Sequence, residues 1–199
     1  MSAFDWRSFL ATWSRAVLTV PDLAGRLPPE VVASGWLGYP GATDAQVEAA
    51  EARLGAHLPP SYREFLHVSN GWRTLSYFID QVWSTGEIEW FRVRNQQWID
   101  AYVEPATYGG PPISEAEHLV YGDAQDNVRF RAEYLPDCLE ISAEGDSAIL
   151  LLNPPVVTPA GEWEAWFFAN WLPGARRHRS FRELMQAEYQ SFLELRDRL

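Results

Sequence analysis

"HLPPSYREFLHVSNGW", residues 57–72, decides how the chain is read. A double proline, an amphipathic segment and an Asn-Gly pair share these sixteen positions. Pro59 or Pro60 fits the first turn of a helix, where a missing N–H costs nothing. Tyr62, Phe65 and Leu66 fall on one helical face. Asn70-Gly71 is expected to end the helix, because both residues tolerate positive φ. Just upstream, Thr43 and Gln46 make a capping box. Val47, Ala50, Glu51 and Leu54 follow at helical spacing, and Gly55 supplies a left-handed stop. Two short helices are thereby clamped at a fixed angle. The stretch is architectural. His57 and His67 lie ten residues apart and have no evident acidic or nucleophilic partner in the sequence.

Further upstream, Trp6, Phe9, Leu10, Trp13 and Val17 recur at helical spacing, so the N-terminus reads as an amphipathic helix docked on the body. Asp5 and the broken apolar pattern argue against a signal peptide. Residues 21–42 are rich in Pro and Gly and read as a covering loop, with Trp36, Leu37 and Tyr39 pressed onto the domain. Downstream, "LSYFIDQVW" (75–83) and "EIEWFRV" (87–93) look like strands or strand ends. Residues 95–104 read as a helix ended by Pro105, and "HLVYG" (118–122) as a short strand. "CLEIS" and "AILLLN" flank "AEGDS", a hairpin signal with Gly145-Asp146 at the turn. "AILLL" is apolar throughout, as in a central strand covered on both faces. "EWEAWFFANW" (162–171) is strongly β-prone. Ser180 with Glu183 reads as a second capping box, opening a closing helix.

The chain has 199 residues, ten of them Trp, and 47% hydrophobic content. This suits one self-sufficient core. No apolar run approaches the ~18 residues that span a bilayer. The single cysteine, Cys138, cannot form an internal disulfide; a buried thiol in a reducing cytoplasm is expected. There are 27 acids against 16 Arg and no Lys, for a net charge of −11. Residues 73–175 hold sixteen acids and five Arg, so they carry the whole excess. Nucleic acid is not the expected ligand, since phosphate binding needs a basic footprint. A basic protein would be steered to such a surface.

The familiar catalytic patterns are missing. There is no Gly-x-Ser-x-Gly elbow and no Cys-His arrangement. His118, Asp123 and Asp126 fit no metal signature and suit a turn. The pairs Glu87/Glu89 and Glu162/Glu164 lie two apart, which on a strand makes a solvated stripe rather than acid–base machinery. Arg176, Arg177, Arg179 and Arg182 are expected to pair internally with nearby acids. Trp83, Trp90, Trp98, Trp163, Trp166 and Trp171 belong mostly to the core. Any that surface beside acids would anchor a partner. The candidate partner-binding residues are therefore Trp83, Glu87, Glu89, Trp90, Asp100, Glu104, Glu162 and Glu164. No catalytic, cofactor or metal residue is assigned.

Three pieces in order resemble the SUKH superfamily, whose relatives include a fungal cell-wall assembly regulator. They are "LPPSYREFLHVSNGW" after the Gly55 stop, "LEISAEGDSAILLLNP", and "RSFRELMQAEY". The likeness covers about residues 43–190 apart from Trp-rich inserts at 83–98 and 163–171, leaving residues 1–42 as an N-terminal extension to a domain at 43–199. It implies an α+β fold, a mostly antiparallel sheet with helices packed on it. It further implies binding without catalysis or cofactor: immunity proteins that neutralise toxins in bacteria, regulatory interaction proteins in fungi. Leu58, Pro59, Tyr62, Phe65, Asn70, Gly71, Gly145, Asp146 and Phe181 carry over as fold determinants. The leading expectation is a cytoplasmic module that sequesters a basic toxin; the alternative is a regulatory scaffold, and an enzyme is the remotest.

Overall fold

The computed structural model describes residues 4–103, 113–172 and 174–198. Helices come first: α1 (Trp6–Leu18), α2 (Pro21–Ala24), α3 (Pro29–Ser34), α4 (Asp44–Leu54) and α5 (Pro60–Val68). A small antiparallel ladder pairs β1 (Trp72–Arg73) with β2 (Gln81–Val82). Then follow β3 (Glu89–Trp90), α6 (Phe91–Arg94), α7 (Gln96–Val103) and α8 (Glu115–His118). The chain closes with β4 (Leu139–Glu140), β5 (Ala148–Val157), β6 (Trp163–Ala169), β7 (Ala175–His178) and α9 (Phe181–Arg196). Strands β3 to β7 form one antiparallel sheet in sequence order. The expected α+β class is what the chain adopts.

The sheet divides two cores. Successive side chains on a strand point to opposite faces. Ala148, Leu150 and Leu152 of β5, with Ala165 and Phe167 of β6, enter the larger core. That core also takes Trp6, Trp13, Val47, Tyr62, Phe65 and Phe181 from α1, α4, α5 and α9. Ile149, Leu151, Trp166 and Phe168 enter a smaller core with Phe91, Ile99 and Leu135. Strand β5 is covered on both faces, as its unbroken apolar run implied. Fully burying a side chain such as Phe168 contributes roughly 1.5–3 kcal/mol, so the β5–β6 pair anchors both cores.

The helix punctuation is largely as read. Thr43 and Gln46 form the capping box, Pro60 opens α5, and Gly55 is left-handed at φ 68°. The end of α5 differs. The chain turns extended at Ser69, and only Gly71 takes positive φ. Asn70 instead uses its side chain, whose Oδ1 accepts from the Thr85 N–H at 2.8 Å. The β4–β5 turn also shifts by one residue. Asp146 and Ser147 are its left-handed pair, at φ 40° and 57°, while Gly145 bridges to Ala148. Gly145 is required for another reason: a Cβ there would sit 2.7 Å from the Phe78 carbonyl oxygen.

Several expected elements fall differently. Residues 21–42 include the short helices α2 and α3. The segments at 75–83 and 87–93 contribute only two-residue strands, and the second runs directly into α6. His118 ends a helix rather than starting a strand. Ser180 caps α9 by accepting from the Glu183 N–H, but Glu183 reaches back to the Arg179 N–H. The second box is thus displaced by one residue.

Glu188 on α9 is buried, and burial pushes its carboxyl up to about 7, with Arg176 offsetting part of this. A carboxyl raised on folding favours the fold while protonated. Its stabilising effect is complete below the unfolded value near 4.5 and is lost as pH rises through about 7. Glu188→Gln should therefore gain on the order of 3 kcal/mol over wild type between pH 4.5 and pH 8. Urea melts at the two pH values check this; an equal difference at both would refute it.

Candidate functional site

Four of the expected residues gather on one face. Strand β3 is the sheet edge, and the turn before it packs against α4. Ser84 and Glu87 close this turn: Glu87 Oε2 accepts from the Ser84 N–H at 3.0 Å and its hydroxyl at 2.6 Å. Arg53 of α4 donates to Glu89 at 3.2 Å and to the carbonyls of Thr85 and Ile88 at 3.1 and 2.9 Å. Trp90 donates its indole N–H to the Leu54 carbonyl at 3.2 Å. Arg94 lies 4.5 Å over the Trp83 ring and donates to the Glu87 carbonyl. Trp83, Glu87, Glu89 and Trp90 thus form one continuous surface with Arg53 and Arg94.

Beside it runs an open cleft between α4 and residues 81–87. One half, about 440 Å³, is lined by Tyr39, Gln46, Asn70, Gln81, Ser84 and Glu87 among others. The other, about 420 Å³, shares Gln46, Asn70 and Ser84 and reaches Arg53 and Thr85. Apart from Glu87, the residues that line the first cleft half carry no functional signal in the sequence. Asn70 had been assigned only to helix termination.

Glu140 lies beneath this face, opposite Glu89 in the β3–β4 register. Burial pushes its carboxyl up to about 7, against the pull of Arg94 at 4.0 Å and the Asn95 amide at 3.0 Å. The face therefore gains negative charge as pH rises through neutrality.

The other candidates lie elsewhere. Asp100 is exposed on α7 and accepts from Gln96. Glu104 lies outside the described residues. Glu162 precedes β6 and accepts from the Ser61 N–H and hydroxyl at the start of α5, at 3.0 and 2.7 Å. Glu164 overturns the solvated-stripe expectation: it is 1% exposed. The pleat puts it on the same face as Trp166 and Phe168, under the segment that carries α8. Its carboxylate accepts from Trp166 Nε1 (2.6 Å), Asn153 Nδ2 (2.8 Å), the Tyr121 hydroxyl (3.0 Å) and His118 Nε2 (3.1 Å). Arg177 Nε lies at 3.8 Å. Burial pushes the Glu164 carboxyl up, but His118, Asn153 and Trp166 more than offset it and leave it below the usual range.

The tryptophans also divide. Trp163 and Trp166 are buried, and Trp83, Trp90 and Trp98 are half-buried. Trp171 alone of these six is exposed, at 44%. Its indole donates to the Asp146 carbonyl at 2.9 Å, and Phe78 lies beside it. The histidines have acidic partners after all: His57 meets Glu51 at 3.2 Å and His67 meets Asp44 at 3.6 Å. Of the arginine group, Arg177 and Arg179 pair with Glu164 and Glu183. Arg176 and Arg182 instead lie over Phe167 and Phe4. Cys138 is buried, and burial raises its thiol well above the usual range.

Much of the acidic excess is paired: Glu89, Glu117, Asp126, Glu133, Asp137, Glu140 and Glu164 each face an arginine. Asp80, Glu87, Asp100, Glu115, Asp123, Glu144 and Asp146 are exposed and have no ion-pair partner among the described residues. No group of three or more His, Cys, Asp or Glu side chains suited to a metal occurs among the described residues. No helix among them is long and apolar enough to cross a membrane.

Helices packed on an antiparallel sheet, with an open polar cleft at one edge, define an α+β domain. The chain matches the SMI1 / KNR4 family (SUKH-1) over residues 41–195 and belongs to that family. A comparison with curated proteins found no match.

Glu164→Gln would set an amide N–H₂ against converging donors. Removing one charge of a buried network costs roughly 3–5 kcal/mol. The variant should lose that stability and lose hydrogen-exchange protection across residues 114–131. Unchanged protection there would show that Glu164 does not hold the segment.

Proposed function

We propose that this protein is a non-catalytic module that binds another protein, and that its partner is basic. The observation that carries the reading is the convergence of Trp83, Glu87, Glu89 and Trp90 on one face beside an open polar cleft. The chain's net charge of −11 supports a basic partner. Unpaired, exposed carboxylates generate a field that speeds encounter, and partly buried aromatic rings provide the contact area that slows release. Family membership supports the finer reading of an immunity protein that occludes the active site of a toxin in the cytoplasm. A regulatory scaffold would use the same face and differ only in its partner.

A neighbouring reading frame encoding a toxic product separates the two. Expressed alone, that product should halt growth, and this protein should restore it. Glu87→Arg combined with Glu89→Arg should abolish rescue while leaving the thermal midpoint within a few degrees. Association with the purified product should slow as salt rises. Salt-independent association or intact rescue by the double variant would remove this face from the reading.

A further inference from the structure

The cleft beside α4 contains hydrogen-bonding groups that the fold orients but does not use. Asn70 Oδ1 accepts from the Thr85 N–H, and only an oxygen can take that bond. Its Nδ2 group is thereby turned the other way, and it has no acceptor among the described residues. Gln46 is held similarly. Its Oε1 accepts from the Thr43 N–H at 2.9 Å, leaving Nε2 unengaged. Both side chains line both halves of the cleft. The Gln81 amide lines one half, also without a side-chain partner among the described residues.

The charges are equally unequal. Arg53 and Glu87 are the charged residues lining the two halves. Arg53 is engaged by Glu89 and two carbonyls. Glu87 spends one carboxylate oxygen on Ser84 and leaves the other without a donor among the described residues. The cleft therefore presents two preset N–H₂ donors, one two-way amide and one carboxylate oxygen.

Amide donors with fixed direction match main-chain carbonyls, and a lone carboxylate oxygen matches a cation. We infer that the cleft receives an extended segment of the partner bearing an arginine or lysine, with Gln46 and Asn70 meeting its carbonyls and Glu87 its cation. This rests on the protein-binding reading above and adds to it the part of the partner that is held. The edge strand β3 is only two residues long and carries Glu89, so it is poorly suited to adding a strand, and side chains rather than a sheet edge do the gripping.

The probe is a capped pentapeptide, acetyl-Ala-Val-Arg-Val-Ala-amide, titrated to millimolar concentration into the ¹⁵N-labelled full chain. The side-chain N–H₂ signals of Gln46 and Asn70 should move. The same peptide with citrulline for arginine should bind about two- to fivefold more weakly, as an exposed ion pair warrants. Glu87→Gln should erase that difference, whereas Asp123→Asn, at a remote carboxylate, should leave it intact. Stationary Gln46 and Asn70 signals, or equal shifts with both peptides, would overturn the assignment. Growth rescue that survives Glu87→Gln alongside stationary signals would confine the failure to the cleft and leave protein binding standing.

Discussion

The pairing of β5 with β6 is the constraint on which the other elements depend. Over residues 148–152 and 165–169 both strands are apolar on both faces, so neither can lie at a solvated surface there. One face must be roofed by α1, α4, α5 and α9, the other by α6, α7 and the turn at 132–137. The alternation is strict enough that a slip of one residue would exchange the two sets. It would also drag Glu164 out of its ring of donors. Glu164 therefore acts as a register mark: a carboxylate that is tolerable in only one alignment.

This explains what could and could not be read beforehand. Local signals worked where the cause is local. The Thr43–Gln46 box, the Gly55 stop, the Pro60 start and the apolar run at 148–152 each depend on residues within a few positions. The failures have non-local causes. Glu164 looks like a surface residue until the 114–131 segment folds over it, and its partners lie between two and 46 positions away. Asn70 looks like a helix stop because its real task, holding the Thr85 N–H, crosses fifteen residues. The strand-like composition of 75–83 and 87–93 was overridden by packing. Aromatic and β-branched side chains there plug the rim of the core instead of extending the sheet.

The candidate face was legible in part for the same reason. Trp83, Glu87, Glu89 and Trp90 are close in sequence, so their clustering needed only a turn. Asp100, Glu162 and Glu164 are acidic too, but the topology sends them elsewhere. Composition identifies an acidic protein. It takes the arrangement of the arginines to show which carboxylates are already spoken for and which still face outward.

The first helix has a less obvious consequence. Trp6 stacks on Phe181 at 5.6 Å and meets Phe65 edge-on at 5.7 Å, while Phe9 and Trp13 contact Tyr189. The opening helix is thus wedged between α5 and the closing one. A ribosome delivers α1 before α5 and α9. Until α9 follows, α1 lacks that half of its seat, and Trp6, Phe9 and Trp13 are without the Phe181 and Tyr189 rings they pack against. The family match begins at residue 41, yet the folded unit is latched by α1, which precedes that match.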